Sequence, residues 1–173
     1  IYLKKNSQKK IYNIHAQDPK VNFDHFDFIV DPEHDGINGS NIINTKGAIH
    51  YLTETEIKDN SDYLKSFIKN DERKIFALIL GGPNKYYDYS TKNMKRIFSI
   101  LYNLNKKQNF QLVVIPSMRT PENTIQYAKE FFGENHTVIE NIDKKAYLSA
   151  LGLSEYIIVT CDSSSMISEA ALT

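Results

Sequence analysis

The residues best suited to chemistry lie near the end of the sequence, where an apolar run is followed at once by small hydroxyl side chains. Residues 156–159 predict a strand, and Ser163, Ser164 and Ser165 then open a helical pattern. The first N–H groups of a helix have no partner within that helix, and this end carries a partial positive charge. The serine turn therefore suits a phosphate or another anion.

A carboxylate follows this turn on the same helical face. Ser165, Ser168, Glu169 and Leu172 share that face if the segment is helical. Leu172 can anchor the face, while the Glu169 carboxylate accepts hydrogen bonds from a sugar diol. The alternative is that the serines only compete to cap the helix and that Glu169 is solvated. This segment alone leaves both interpretations open.

A second candidate site also follows a predicted strand. Residues 74–80 form a nearly continuous apolar run, typical of a strand buried on both faces of a parallel sheet. The chain continues with Gly81-Gly82-Pro83-Asn84 and then Lys85, where paired glycines allow close approach of a ligand or a positive φ. The spacing fits neither a Walker loop nor the dinucleotide fingerprint. Gly-Gly-Pro alone is usually a turn, but open α/β sheets bind ligands at the carboxyl ends of their strands.

Strands and helices alternate between these two sites. The predicted order is a helix from residue 91, a strand at 111–115, a helix from residue 121 to Gly133, a strand at 136–140, and a helix at 144–151 that Gly152 ends. This alternation favours βαβ units around a parallel sheet with right-handed crossovers. The fold class is therefore α/β.

The first third of the sequence is organised differently. It contains candidate strands at 11–15 and 26–30 and a charged loop at 31–36. Thr53 and Glu56 form a capping box that begins a further helix. We interpret residues 1–53 as a partial first domain, 54–72 as a connecting helix and 73–173 as a truncated second domain, with the polar residues 70–73 at the boundary.

Global composition limits the partners, disulfides and membrane segments that are expected. The 21 basic and 21 acidic side chains give no net charge, which argues against a nucleic-acid partner, although local basic pockets stay open. The single cysteine, Cys161, excludes an internal disulfide and is expected to be a small core residue. No apolar run is long enough to predict a transmembrane segment. The sequence lacks an initiating methionine and stops within a helical pattern, so we interpret it as a fragment.

Five motifs occur in an order that carries a resemblance. They are the charged loop at 32–36, Thr-Lys-Gly-Ala-Ile-His at 45–50, Gly-Gly-Pro-Asn at 81–84, Pro-Ser-Met-Arg-Thr-Pro at 116–121, and the strand end with its serine turn at 160–170. Together they resemble the mitochondrial-fission, elongated-mitochondria family and its bacterial homologues. Ser40 and Met118 depart from the pattern, since a proline and a basic residue are expected there.

The resemblance implies a GT-B-type glycosyltransferase architecture, in which two Rossmann-like domains face each other across a cleft. The second domain would bind a nucleotide-sugar donor as substrate, with no metal and no separate cofactor. The residues implied for donor binding are Gly81, Gly82 and Asn84 at the diphosphate, Ser163, Ser164 and Ser165 at a second phosphate edge, Arg119 at a phosphate, and Glu169 at the ribose.

The first domain would supply the catalyst. By the same resemblance, His34 and Asp35 would face the cleft, and an imidazole beside a carboxylate can act as general base for an acceptor hydroxyl. The alternative is that these two residues only fasten their loop through side-chain hydrogen bonds.

The competing function is of another class. Plant members of the family are associated with mitochondrial division, which implies a non-enzymatic adaptor for a dynamin-type protein, with or without a regulatory nucleotide. The abundance of Ile, Asn and Lys favours a bacterial source, and hence a cytoplasmic enzyme that acts on envelope material. A eukaryotic chain would instead belong at the mitochondrial outer surface. The acceptor, the sugar and the base stay undetermined, and peripheral membrane association stays open.

Overall fold

The computed structural model describes residues 2–69 and 72–173 and divides the chain into two compact units, Ile1–Tyr51 and Leu52–Thr173. Each unit contains one parallel sheet with α-helices or short helical turns in its connections, which confirms the α/β class.

The first unit is built on a three-stranded parallel sheet. Helix α1 spans Tyr2–Asn6, and the strands are β1 (Ile14–Ala16), β2 (Phe28–Pro32) and β3 (Ile42–Thr45) in the order β1-β2-β3. Ile29 on the central strand is fully buried. The sequence did not predict β3, because its four residues are partly or fully exposed and carry no alternation of apolar and polar side chains.

The second unit contains a four-stranded parallel sheet. Its strands are β4 (Ile75–Leu80), β5 (Gln111–Pro116), β6 (Thr137–Val138) and β7 (Tyr156–Val159), in the order β6-β5-β4-β7. β4 therefore pairs with β5 on one side and with β7 on the other. Nearly every residue of β4 and all of β5 are buried, as expected for central strands covered on both faces.

Helices cover both faces of this sheet. They are α2 (Glu54–Asn60), α3 (Thr91–Gln108), α4 (Glu122–Phe132), α5 (Lys144–Leu153) and α6 (Ser164–Ala170). Because successive strand residues point to opposite faces, Ala77 and Ile79 join one apolar cluster, whereas Phe76 and Leu78 join another. The first cluster includes residues of α2 and α5, and the second includes residues of α3 and α4.

Residues 52–69 pack against α5 and so belong to the second unit. The predicted connecting helix is shorter than expected, because α2 ends at Asn60 and a 3-10 turn follows at Tyr63–Ser66. The fully buried Ser149 hydroxyl donates to the Ser61 carbonyl at 2.6 Å and accepts from the Leu64 N–H at 2.9 Å. Part of the predicted boundary, residues 70 and 71, lies outside the described residues.

Gly152 does not end α5, contrary to the sequence prediction. The helix continues to Leu153, and a Cβ at Gly152 would lie 3.2 Å from Ile57 Cγ2 and 3.3 Å from Ser61 Cβ. This glycine therefore allows α5 and α2 to approach closely. Gly133, by contrast, ends α4 with a φ of 58°, as predicted for a glycine cap.

His136 is fixed in one tautomer by the backbone. Its Nδ1 accepts the Leu112 N–H at 3.2 Å, so the ring proton lies on Nε2. Nε2 lies 3.4 Å from the amide nitrogen of Asn105, whose buried oxygen has no hydrogen-bond partner among the described residues. A reversed Asn105 amide would let that oxygen accept the Nε2 proton, which satisfies both groups.

This environment predicts a pH dependence of stability. Burial lowers the pKa of His136, and the positive charges of Arg73 and Lys69 act in the same direction. The unfolded chain therefore binds the proton more readily, and the free energy of unfolding should fall as the pH drops below about 6.5. Urea denaturation between pH 8 and pH 5 should show a smaller loss in His136→Gln, which retains every other histidine. Equal losses in both proteins would contradict this assignment.

Candidate functional site

Two loops distant in sequence meet at the carboxyl edge of the second sheet. β4 and β7 are parallel neighbours, with Ile79 opposite Val159, so their ends lie at the same edge. The Gly81 N–H donates to Thr160 Oγ1 at 2.8 Å, and the Gly82 N–H donates to Asp162 Oδ2 at 3.0 Å. The glycine pair and the segment that leads into Ser163 are therefore directly bonded, at the edge where the sequence predicted them.

Asp162, which the sequence analysis did not single out, lies at the centre of this edge. Its side chain is only 1% exposed. Besides the Gly82 N–H, it accepts the Tyr89 hydroxyl at 2.6 Å and an Arg119 guanidinium nitrogen at 2.7 Å. Burial alone would raise the pKa of Asp162, but hydrogen bonds, chiefly from Tyr89, and the Arg119 charge outweigh burial and hold the pKa below its ordinary value. Asp162 is therefore an ionised, buried carboxylate.

A chain of hydroxyl groups extends the contacts of Asp162. The Tyr89 oxygen lies 2.6 Å from Asp162 Oδ1 and 2.8 Å from Thr160 Oγ1. Tyrosine has a single hydroxyl proton, and the carboxylate is the stronger acceptor, so Tyr89 donates to Asp162 and accepts from Thr160. Burial and the adjacent carboxylate raise the pKa of Tyr89, so its hydroxyl stays protonated. Gly81, Thr160, Tyr89 and Asp162 thus form one connected series.

The glycine pair is required by packing within the protein. A Cβ at Gly81 would lie 2.0 Å from Asp162 Oδ2, and one at Gly82 would lie 2.0 Å from the Arg119 carbonyl oxygen. The positive-φ glycines of the described chain are Gly36 and Gly133, so this pair is not selected for a left-handed conformation. Both N–H groups are already donated to side chains. The sequence explained these glycines by a ligand, whereas the structure gives Asp162 and Arg119 as their immediate neighbours.

The loop after β5 brings Arg119 to the same edge. Thr120 Oγ1 lies 2.6 Å from the Gly81 carbonyl oxygen and accepts the Ser117 N–H at 2.8 Å, which ties this loop to the end of β4. The Arg119 side chain is 45% exposed although one of its nitrogens is bonded to Asp162. The guanidinium is therefore both anchored and accessible, as a phosphate contact requires.

Two further predicted residues lie on the loop after β4. Asn84 Nδ2 donates to the Asp162 carbonyl at 3.2 Å, and Asn84 Oδ1 accepts the Tyr86 and Tyr87 N–H groups. Asn84 therefore shapes the turn as well as reaching the edge. The Lys85 ammonium lies 4.7 Å from the centre of the Tyr86 ring.

The serine turn and Glu169 have partners inside the second unit. Ser163 caps α6 by accepting the Met166 N–H at 3.4 Å, and the Ser168 hydroxyl donates to the Ser164 carbonyl at 2.9 Å. Glu169 Oε2 accepts the Tyr147 hydroxyl at 2.6 Å, so this carboxylate is bonded to α5. Ser165 lies in the first turn of α6 and is partly buried. Their roles toward a ligand stay predictions.

Cys161 lies in the same turn but is exposed, so the prediction of a core residue is wrong. β7 is the edge strand of its sheet and is only partly buried, so the residue that follows it emerges from the core.

His34 and Asp35 lie in the first unit, in a 3-10 turn at Glu33–Asp35 that directly follows β2. Gly36 ends this turn with a φ of 74°, and its N–H donates to the Glu33 carbonyl at 3.2 Å. His34 Nε2 and Asp35 Oδ1 are 3.7 Å apart, and their side chains are 49% and 40% exposed. The pair is therefore adjacent and accessible without a tight hydrogen bond.

Asp31, which the sequence analysis did not single out, precedes this turn by one residue of β2. It is fully buried, and neither carboxylate oxygen has a hydrogen-bond partner among the described residues. Burial, together with the negative charges of Asp35 and Asp18, raises its pKa. A buried carboxyl group without partners lowers stability, and such groups are candidates for functional residues.

The described residues contain no group of three or more His, Cys, Asp or Glu side chains that could hold a metal ion. Within the same part of the chain, no helix combines the length and the apolar character needed to cross a membrane.

The packing of the glycine pair leads to a stability prediction. Gly81→Ala should lower the free energy of unfolding by about 1–3 kcal/mol, because the new methyl group displaces the Asp162 carboxylate. Gly152→Ala is the matched comparison in the same unit, since its Cβ would lie 3.2 Å from Ile57 Cγ2 and 3.3 Å from Ser61 Cβ, which are tight contacts without the overlap found at Gly81, and since alanine has the higher helix propensity. Its unfolding free energy should change by less than about 1 kcal/mol. Equal destabilisation of the two variants in urea would contradict this interpretation.

The chain is similar in fold to solved structures. The UDP-GlcNAc 2-epimerase of Methanocaldococcus jannaschii, in complex with UDP-GlcNAc and UDP, aligns with a TM-score of 0.51 and 15% identity over 86% of this chain and 44% of that chain. The corresponding enzyme of Neisseria meningitidis, bound to UDP-GlcNAc, aligns with a TM-score of 0.45 and 19% identity over 80% of this chain and 37% of that chain. The chain thus spans less than half the length of either enzyme.

At this level of identity the likeness concerns the fold, which is Rossmann-like and of the GT-B type. None of the curated proteins matches this chain. The family match is more extensive, since the pattern of the Mitochondrial fission ELM1 family covers residues 1–173, the whole sequence. The chain therefore belongs to the Mitochondrial fission ELM1 family.

Proposed function

We propose that the second unit binds the nucleoside diphosphate part of a nucleotide-sugar, and that the protein is a GT-B-type, glycosyltransferase-like enzyme. One observation carries this proposal. The loops that follow β4, β5 and β7 meet at one edge around Asp162, with the accessible Arg119 guanidinium beside them.

The position of this edge supports ligand binding. Open α/β sheets bind ligands outside the carboxyl ends of their strands, where loops from neighbouring strands form a crevice. Arg119 offers a planar cation there, and guanidinium groups bind phosphate through paired hydrogen bonds. The similar fold of the Methanocaldococcus jannaschii enzyme, described with UDP-GlcNAc and UDP, favours a nucleotide-sugar as the ligand class.

Glu169 and the serine turn complete the proposed donor site. Ser163, Ser164 and Ser165 are assigned to the second phosphate edge. The Glu169 carboxylate is assigned to the ribose hydroxyls, because a carboxylate accepts several hydrogen bonds and the Tyr147 hydroxyl occupies one oxygen.

The proposed reaction assigns His34 and Asp35 to the acceptor. The acceptor oxygen would attack the anomeric carbon as His34 takes its proton, and the bond to the nucleoside diphosphate would break. Asp35 would stabilise the imidazolium that forms. The exposed His34 ring supports this assignment, because an acceptor hydroxyl must reach the base. The competing interpretation is a non-enzymatic adaptor, with or without a regulatory nucleotide.

Donor binding leads to a prediction for Glu169. Glu169→Gln should weaken nucleotide binding by about 1.5–3 kcal/mol, because the neutral amide accepts hydrogen bonds from a diol less strongly. Titration calorimetry with UDP-GlcNAc, UDP and GDP measures this loss. Tyr147→Phe is the control, since it removes the hydrogen bond between α5 and Glu169 and keeps the Glu169 carboxylate. Unchanged affinity in Glu169→Gln would leave Glu169 with a structural role.

Catalysis leads to a separate prediction for His34. His34→Ala should reduce turnover by about a hundredfold to ten-thousandfold and leave donor affinity nearly unchanged, because a general base acts in the transition state. The assay follows nucleoside diphosphate release from a bound donor, with and without candidate acceptors. A protein that binds nucleotide-sugars but never cleaves them would favour the adaptor interpretation.

A further inference from the structure

We propose that Asp162 is a positioning residue that holds Arg119 in the arrangement that binds the diphosphate. This inference rests on the proposed function, in which the same edge binds a nucleoside diphosphate. Asp162 would act through Arg119 and would not touch the ligand, because its side chain is only 1% exposed.

The contacts of Asp162 join the loops that meet at the carboxyl edge of the second sheet. Its donors are the Gly82 N–H from the loop after β4, the Tyr89 hydroxyl just before α3, and the Arg119 guanidinium from the loop after β5. Asp162 itself follows β7. A single carboxylate therefore joins both ends of the loop after β4 to the loop after β5 and to the segment after β7.

The space for this carboxylate is provided by Gly81. A Cβ at that position would coincide with the carboxylate, at 2.0 Å from Oδ2 and 2.3 Å from Oδ1. The buried Asp162 carboxylate therefore occupies the space that a side chain at position 81 would need. The same contact brings the acid within reach of Arg119.

The ion pair with Asp162 restricts the conformations available to the Arg119 side chain. A long arginine side chain loses considerable rotamer freedom when it binds an anion. The ion pair with Asp162, 2.7 Å from nitrogen to oxygen, imposes part of this restriction before any ligand arrives. Binding of a diphosphate then costs less entropy, which is the effect of preorganisation.

Charge alone and positioning predict opposite effects of an Asp162 substitution on anion binding. Asp162→Asn removes a negative charge from the edge and should strengthen anion binding if the carboxylate only competes for Arg119. If Asp162 positions Arg119, the same substitution should weaken binding of UDP by about two- to tenfold, the cost of immobilising one long side chain. The sign of the change therefore separates the two roles.

The experiment is titration calorimetry of the full chain with UDP and with uridine, which lacks phosphates. Asp162→Asn should lose affinity for UDP and keep its affinity for uridine. In an Arg119→Gln background, Asp162→Asn should cause no additional loss of UDP affinity, since its effect passes through Arg119. Tyr89→Phe keeps the carboxylate but removes the hydroxyl group that is bonded to Asp162 and to Thr160, and it should show a smaller loss of the same selective kind.

Asp143→Asn is the matched control for general destabilisation. Asp143 also accepts a tyrosine hydroxyl, that of Tyr63 at 2.7 Å, and caps α5. Its replacement should lower the free energy of unfolding without changing UDP affinity.

Several outcomes would overturn the inference. Unchanged or tighter UDP binding in both Asp162→Asn and Tyr89→Phe would exclude a positioning role. So would a parallel loss for UDP and uridine, or an undiminished loss in the Arg119→Gln background. If Asp162→Asn does not fold, Tyr89→Phe decides by the same comparison. Failure of the wild-type chain to bind UDP or any other nucleoside diphosphate overturns the proposed function instead, and this inference with it.

Discussion

The candidate site of the second unit depends on one buried carboxylate. Moving an ionised acid out of water is costly unless donors replace its hydration, and Asp162 obtains those donors from Gly82, Tyr89 and Arg119. Gly82 and Tyr89 lie near the two ends of the loop after β4, and Arg119 lies in the loop after β5, so the energetic requirement of this one group constrains both loops. The glycine at 81 leaves space for this carboxylate, and the glycine at 82 lets the chain pass close to the Arg119 backbone.

The order of the strands in the sheet brings these loops together. β4 lies between β5 and β7, and all three run parallel, so their carboxyl ends emerge side by side. Apolar clusters on both faces hold the strands in register. The loops at the edge are then free to carry polar groups, because the core beneath them is already formed by buried residues of the strands and helices.

In the first unit, exposed polar side chains lie close in sequence to a buried carboxyl group. His34 and Asp35 are about half exposed and lie 3.7 Å apart, whereas Asp31 is fully buried and its oxygens lack partners among the described residues. An unsatisfied buried acid opposes folding, so its presence at the end of β2 is a local cost that the rest of the unit offsets. Sites of this kind are common where a protein retains a group for function.

The sequence by itself determined the parallel α/β architecture of the second unit, because buried strands and amphipathic helices leave apolar patterns with different periods. It also placed the loops after β4 and β7 at one edge, and its motifs indicated the family. Only the tertiary structure revealed Asp162, the close approach at Gly152 and the exposure of Cys161. These depend on which atoms meet across about 80 residues of chain, as Gly82 and Asp162 do, and local periodicity carries no record of such contacts.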